Sequence, residues 1–271
     1  RSGLILREVD IFSIFAAFIK IKQDMIKKLS IIIIAYNEEK HLPILLNSLK
    51  DQTLQAFEVI MVDSNSADKT AEISRAFESF FPSFHYLKLD EARGPAYARN
   101  RGFELASNEC ILFLDADTNI QEDFVEKVLY EINTKQPDVA TCKVKITRER
   151  SFANIGAAFF NIFMTLLFPF YSSGFGACLI TKKNAYKKLN GFREDLAVCE
   201  DCNYIKRARR IHKFKYRILS QPFYTSDRRA RVEGNVQFIF KFIRIHLFRM
   251  ITGKEILKDQ LTYEYGNFYT K

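Results

Sequence analysis

The chain has no glycine-rich phosphate loop. Its 271 residues contain no G-x-G-x-x-G after the first apolar run and no G-x-x-x-x-G-K-[ST] anywhere. That excludes the backbone cradle with which dinucleotide folds and P-loops hold phosphate. A disulfide framework is missing too. The five cysteines, Cys110, Cys142, Cys178, Cys199 and Cys202, are unevenly spread, and Cys110 falls in a run expected to be buried, so a reducing compartment is indicated. Cys199-Glu200-Asp201-Cys202 spells C-x-x-C. No second pair stands at metal-ligand spacing and no strand–helix context suggests redox chemistry, so neither zinc nor disulfide exchange is expected there. There is no internal repeat or low-complexity linker. The apolar stretch 11–19 follows acidic Glu8 and Asp10 and lacks a small-residue cleavage site. Residues 1–28 therefore read as an N-terminal amphipathic helix and not as a secretory signal.

Charge is absent from 31 consecutive positions, 151–181. Residues 152–171 could cross a bilayer. However, Asn154, Asn161 and Thr165 share one helical face, opposite Phe152, Ile155, Phe159, Ile162, Phe163 and Leu166. That favours a helix with one greasy side, lying at an interface or beside an acceptor, over ordinary core or a membrane span. Positive charge is short in the first three quarters and in excess afterwards: residues 203–271 hold 16 Lys/Arg against 5 Asp/Glu, and residues 1–202 hold 25 against 27. A basic tail seeks a phosphate, a nucleic acid or a lipid headgroup. In 238–251, Lys241, Arg244 and Arg249 are interleaved with Phe238, Phe242, Phe248 and long aliphatics. This reads as a membrane-surface helix and argues against nucleic acid.

What is present begins at Leu29, where strand and helix signals alternate. Ile31-Ile32-Ile33-Ile34, Val59-Ile60-Met61-Val62, 84–89 and 110–114 read as strands; 41–49, 70–80, 95–105 and 122–132 read as helices. Ser66 or Asp68 is the expected cap of the second helix, and Pro95 opens the third. The order implies a mostly parallel sheet with helices on both faces, which binds ligands at the carboxyl ends of its strands. Polar residues collect at those ends: Tyr36-Asn37-Glu38, then Asp63-Ser64-Asn65-Ser66, then Asp115 and Asp117. Two carboxylates one residue apart at a strand end call for a hard divalent cation. Without a glycine loop, phosphate must be held by that cation and by basic side chains.

Together these pieces resemble the family 2 glycosyltransferases of GT-A fold. The resemblance is carried by Ser30-Ile31-Ile32-Ile33-Ile34-Ala35-Tyr36-Asn37-Glu38-Glu39 (Ala35 standing where proline is usual), the stretch from Val62-Asp63 to Lys69-Thr70, and the segment from Arg93-Gly94-Pro95 to Asn100-Arg101-Gly102. Asp115-Ala116-Asp117 and Gly191-Phe192-Arg193-Glu194-Asp195 followed by Glu200-Asp201 complete it. It covers about 29–230, with 29–118 as the nucleotide-sugar half, 119–230 as the acceptor half and 231–271 as a basic amphipathic tail. Tyr224-Thr225-Ser226-Asp227-Arg228-Arg229 is similar to a bacterial subgroup and departs from the Q-x-x-R-W of processive synthases.

The resemblance implies inverting transfer of one sugar from a nucleotide-diphosphate donor, UDP- or GDP-linked, to a lipid-linked or saccharide acceptor. Asp117, with Asp115, would hold Mg²⁺ or Mn²⁺, and Asp115 would also accept from the ribose. Glu38 and Asp63 would hold base and ribose, with Ala35 and Tyr36 beside them. Arg93, Arg228 and Arg229 would clamp the diphosphate. Asp201 is the implied general base, Glu200 its neighbour in placing the acceptor, and Asp195 the runner-up. Arg99 would pair with a sheet-edge carboxylate or serve the site. The enzyme would work in the cytoplasm, peripherally at the inner face of the membrane.

Overall fold

The computed structural model describes residues 28–147, 161–162, 176–226 and 228–260. Its eight strands form one sheet in the order β3-β2-β1-β4-β7-β6-β8-β5. The four strands read from the sequence, β1 (Leu29–Ala35), β2 (Phe57–Asp63), β3 (Phe84–Lys88) and β4 (Cys110–Asp115), run parallel to one another. The chain then reverses. β7 (Cys178–Lys182) is antiparallel to both β4 and β6 (Val139–Ile146), β8 (Tyr216–Thr225) is parallel to β6, and the two-residue β5 (Thr118–Asn119) closes antiparallel on β8. The sheet is thus mixed in its second half, where β6 is buried over its first four residues and alternates only from Lys143 on, and β8 is buried only at Tyr216, Leu219 and Phe223, which gives a weak apolar signal.

The continuous apolar runs follow from burial on both faces. Ile31 and Ile33 of β1 point into one core with Leu112 and Leu114 of β4. Ile32 points into the other with Ile111 and Phe113. The first core is covered by α1 (Leu42–Lys50) and α4 (Phe124–Lys135), whose apolar positions repeat at helical spacing. The second is covered by α3 (Pro95–Leu105), α5 (Lys183–Lys188) and α6 (Glu200–Lys206). Gly102 sets the height of α3 above the sheet: a Cβ there would stand 2.5 Å from Ile32 Cγ2 and 2.9 Å from Val62 Cγ2. The helix expected over 70–80 is shorter. It is α2 (Thr70–Ala76) followed by a 3-10 turn at Glu78–Phe80. Its cap position is Lys69, with no side-chain cap, so neither expected residue caps it; Asp68, one residue earlier, accepts from Thr70 N at 3.0 Å, and Ser66 is used elsewhere.

Register aligns the strand ends. Ala35 lies opposite Asp63, and Ile34 opposite Asp115. Strand order moves outward in opposite directions from β1, so the crevice between β1 and β4 is where an open sheet of this kind receives a ligand.

Of the charge-free stretch, the described end is the central strand β7. Asn161 is held by the backbone of Val144, accepting from its N–H at 3.1 Å and donating to its carbonyl at 2.7 Å. The rest of 152–171, like 1–27 and 261–271, lies outside the described residues. Beyond β8, α7 (Arg228–Glu233) and the longer α8 (Asn235–Thr252) end at Gly253, whose φ of 67° makes the left-handed stop. Residues 255–258 return onto the body. Leu257 bridges Leu196, Ala197 N donates to Ile256 O at 3.0 Å, and Lys258 N to Asp195 O at 3.0 Å. Among the described residues no helix is long and apolar enough to cross a membrane.

Candidate active site

Two strand-end loops make one wall. Asn37 and Asn65 take left-handed backbone, with φ of 55° and 61°, a conformation asparagine tolerates better than most residues. The loops then exchange hydrogen bonds. Asn37 N donates to Ser66 Oγ at 2.9 Å, Ala67 N to Asn37 Oδ1 at 2.8 Å, Glu38 N to Thr70 Oγ1 at 2.8 Å and Glu39 N to Asp68 Oδ2 at 3.0 Å. The polar residues of these two motifs are therefore needed to lock the motifs together. Asp63 belongs to the same lock. It is fully buried, and its oxygens accept from Ser66 N at 2.8 Å and Tyr86 Oη at 2.7 Å. Burial and this bond push the Tyr86 hydroxyl well above its ordinary range. Ala35 is buried beside Asp63, and Tyr36 is half-buried at the rim.

Glu38 and Arg228, 190 residues apart, meet as a fork. Arg228 Nη1 and Nη2 donate to the two Glu38 oxygens at 3.0 and 2.8 Å. The side chain of Arg229 lies outside the described part.

The centre is built on Arg99. This guanidinium, 2% exposed, donates from Nη1 to Glu200 Oε1 at 2.7 Å and from Nη2 to Asp115 Oδ1 at 2.8 Å, and lies 5.4 Å from the Phe192 ring centroid. It thereby joins the strand-end D-x-D to the E-D pair of α6. Asp201 is next to it. Its Oδ2 accepts from Gly176 N and its Oδ1 from Cys202 N, both at 2.6 Å. A Cβ on Gly176 would stand 2.9 Å from Arg99 Nη2 and 3.1 Å from Asp201 Oδ2, so glycine is what lets the backbone approach. Burial, reinforced by Cys202 and Glu200 and opposed by Arg99, pushes the Asp201 carboxyl well above the usual carboxylate range.

Asp195 is in a different setting. Half exposed, it is gripped by the Arg193 guanidinium, which holds its carboxyl below the ordinary range. Arg93 makes its contacts apart from the centre. It stands over the Tyr97 ring at 4.4 Å, pairs with Glu91 at 3.6 Å, and its carbonyl accepts from Lys258 Nζ at 2.8 Å.

Asp117 opens onto a cavity of about 370 Å³ lined by His41, Ile44, Thr118, Asn119, Thr147, Ser226 and Arg231. Carboxylate, hydroxyl and amide oxygens make a hard donor set that fits Mg²⁺ or Mn²⁺ and not a thiophilic metal. Burial, with Arg228 and Arg231 nearby, holds the His41 imidazole below its usual range. His41 and Arg231 line this cavity, and motif reading passes over both. The available signal was spacing: Arg231 follows Arg228 by three positions, one helical turn on the same side.

Residues 30–198, more than half of the chain, match the family model described as "Glycosyl transferase family 2". The chain belongs to that family. "Glycosyltransferase AglE" of Haloferax volcanii is 33% identical over 120 residues, which cover 44% of this chain and 40% of that protein. Like the other first relatives, it is matched over less than half its length. S. aureus TarS 1–349 in complex with UDP superposes with a TM-score of 0.60 at 23% identity, covering 73% of this chain and 60% of that one. The mannosyltransferase PcManGT from Pyrobaculum calidifontis, in complex with GDP-Man and Mn²⁺, gives 0.61 at 20% identity over 80% and 64%. At these identities the structures establish a shared fold. This family 2 chain thus has the mixed α/β sheet, flanked by helices, of the GT-A fold.

Proposed function

We propose that this family 2 chain transfers one sugar, with inversion, from a UDP- or GDP-linked donor to a lipid-linked or membrane-proximal acceptor. The observation that carries the reading is the Arg99 bridge. One buried cation ties Asp115 at the donor edge of the sheet to Glu200, beside Asp201. An in-line displacement needs the leaving diphosphate and the incoming hydroxyl on opposite sides of one carbon, within reach of both groups.

In this reading Asp117 and Asp115 hold Mg²⁺ or Mn²⁺; when bound, the ion offsets charge growing on the diphosphate. That PcManGT was solved with GDP-Man and Mn²⁺ supports this choice. Asp201 takes the acceptor's proton, and Glu200, fixed by Arg99, orients the acceptor. Asp195 is the weaker candidate because its carboxyl is already neutralised by Arg193. Glu38, Asp63, Ala35 and Tyr36 shape the base and ribose pocket, Asp63 through the loop it organises. Arg228 is held by Glu38 and Arg231 looks into the Asp117 cavity, so Arg231 joins Arg228 and Arg229 as a phosphate contact, with Arg93 at the rim. The S-x-R-R segment in place of Q-x-x-R-W supports single transfer.

The tail supports peripheral work at the cytoplasmic face of a membrane. On α8, Phe240, Ile243, Leu247 and Ile251 recur at helical spacing and are exposed, with Lys241 and Arg244 exposed beside them. Arg249 does not belong to that basic set: it is 5% exposed and donates to Glu255 at 2.8 Å. Phe248 is partly exposed, and the side chains of Phe238 and Phe242 lie outside the described part.

Two measurements test the reading. In a thermal-shift panel of UDP-, GDP-, dTDP- and CMP-linked sugars with and without Mn²⁺, a true donor at one hundred times its Kd stabilises by about 2.7 kcal/mol. With that donor, Asp201→Asn lowers transfer by at least roughly 10²-fold while donor affinity is kept. If Asp195→Asn is crippled and Asp201→Asn is not, the base assignment is wrong.

A further inference from the structure

The C-x-x-C that the sequence leaves without a partner acquires one in the fold. Cys199 sits at the cap position of α6 with φ of 61°, and Cys202 lies one turn on. Across from them α8 brings His246, which is 9% exposed. One ligand atom from each of Cys199, Cys202 and His246 lies within 4.8 Å of the other two. The three come from two elements, and His246 follows Cys202 by more than forty residues, so local chain geometry does not force them together.

A cysteine alone is often a small buried hydrophobe, and a lone buried histidine is often just packed. Two thiols and an imidazole meeting at one point are a different matter, because sulfur and nitrogen in that ratio are a zinc donor set. Tetrahedral zinc with bonds of roughly 2.0–2.3 Å spaces its ligand atoms roughly 3.4–3.8 Å apart. Three atoms within 4.8 Å reach that by rotamer adjustment. The surroundings are those of a braced junction. Arg249 donates to Glu255, which also accepts from Asn203 Nδ2 at 3.1 Å and Lys206 Nζ at 3.2 Å. α8 and α6 are thus already tied by a charged network, and the thiols and imidazole sit at the same seam.

We propose that Cys199, Cys202 and His246 bind one Zn²⁺, with water in the fourth position, and that this ion staples helix Asn235–Thr252 to the segment carrying Glu200 and Asp201. Binding replaces two S–H bonds by two Zn–S bonds and releases two protons, with no change in oxidation state. The site differs from the oxygen-lined one at Asp117, and its test does not depend on the transferase reading.

The full chain, reduced and freed of metal, is titrated with Co²⁺ in excess Mg²⁺, which occupies oxygen sites. Wild type develops thiolate-to-cobalt charge-transfer absorption in the near ultraviolet and intensified d–d bands at one equivalent, and one equivalent of Zn²⁺ abolishes both. Native mass spectrometry with Zn²⁺ shows one ion bound and two protons lost. Cys199→Ser and His246→Ala each weaken Zn²⁺ binding beyond the roughly 10–100-fold that an outer-shell change costs. Circular dichroism checks that both variants fold, and Cys199→Ser, at a half-buried position, is the gentler one. Three results overturn the site: no thiolate band in the reduced wild type, binding undiminished in folded His246→Ala, or a Cys199–Cys202 disulfide in protein prepared without oxidant.

Discussion

Removing the Arg99 charge tests the reasoning at its centre. Arg99→Met keeps the length and the apolar stem but strands two carboxylates, Glu200 at 11% exposure and Asp115 at 33%. Breaking a buried ion pair by deleting one partner costs about 3–5 kcal/mol, because the remaining charge is left uncompensated. Asp115 is a third exposed and can rehydrate, so its share is discounted. Glu200 cannot, and Asp201 is beside it. The lower end of the range, about 3 kcal/mol, is therefore expected, which is roughly a hundredfold in the unfolding equilibrium. Urea unfolding at neutral pH, followed by circular dichroism, measures it. Arg99→Met/Glu200→Gln removes the stranded charge and recovers most of the loss, so the two substitutions are strongly non-additive. Arg99→Lys is not conservative, since one ammonium cannot fork between the two acceptors. If Arg99→Met costs under about 1 kcal/mol, or the double variant equals the sum of its parts, Arg99 is not the bridge described above.

Asp117→Asn should abolish metal-dependent donor stabilisation in thermal shift while leaving the melting curve without ligand unchanged; donor binding unaffected by EDTA would refute the metal's place. Wild type should float with anionic liposomes at low salt, and Leu247→Glu or Arg244→Glu should float less; if none floats, the membrane reading fails and the acceptor is soluble. Glu58, buried on β2 opposite Ser30 of β1, accepts from Ser30 Oγ, Ser107 N and Asn108 Nδ2. Burial pushes its carboxyl up, but these donors outweigh it and hold the group below its ordinary value. Because the folded pKa is depressed, the stabilisation is present above the unfolded value of about 4.3 and is lost as pH falls through the folded one. Glu58→Gln should therefore flatten the acid limb of the stability–pH curve and lower stability at pH 7; an unchanged limb would refute the assignment.

The sequence by itself determined the first, parallel half of the sheet. A β-branched run buried on both faces has few alternatives to a central parallel strand, and carboxylates directly after such runs must lie at the sheet's carboxyl edge, because register is fixed by burial. The positions of Asp63, Asp115 and Asp117 followed from that. Strands β6 and β8 carry little apolar signal because Lys143 and Lys145 interrupt β6 on its exposed side and β8 is buried only at Tyr216, Leu219 and Phe223. Tertiary structure alone decided the pairings. Nothing local to Arg99 selects Asp115 and Glu200 from the chain's 32 acidic residues, nothing local to Glu38 selects Arg228, and the histidine that faces Cys199 and Cys202 is set by where α8 docks. Such contacts depend on the sum of many packing and loop-closure terms over the whole domain. A short window of sequence does not contain them.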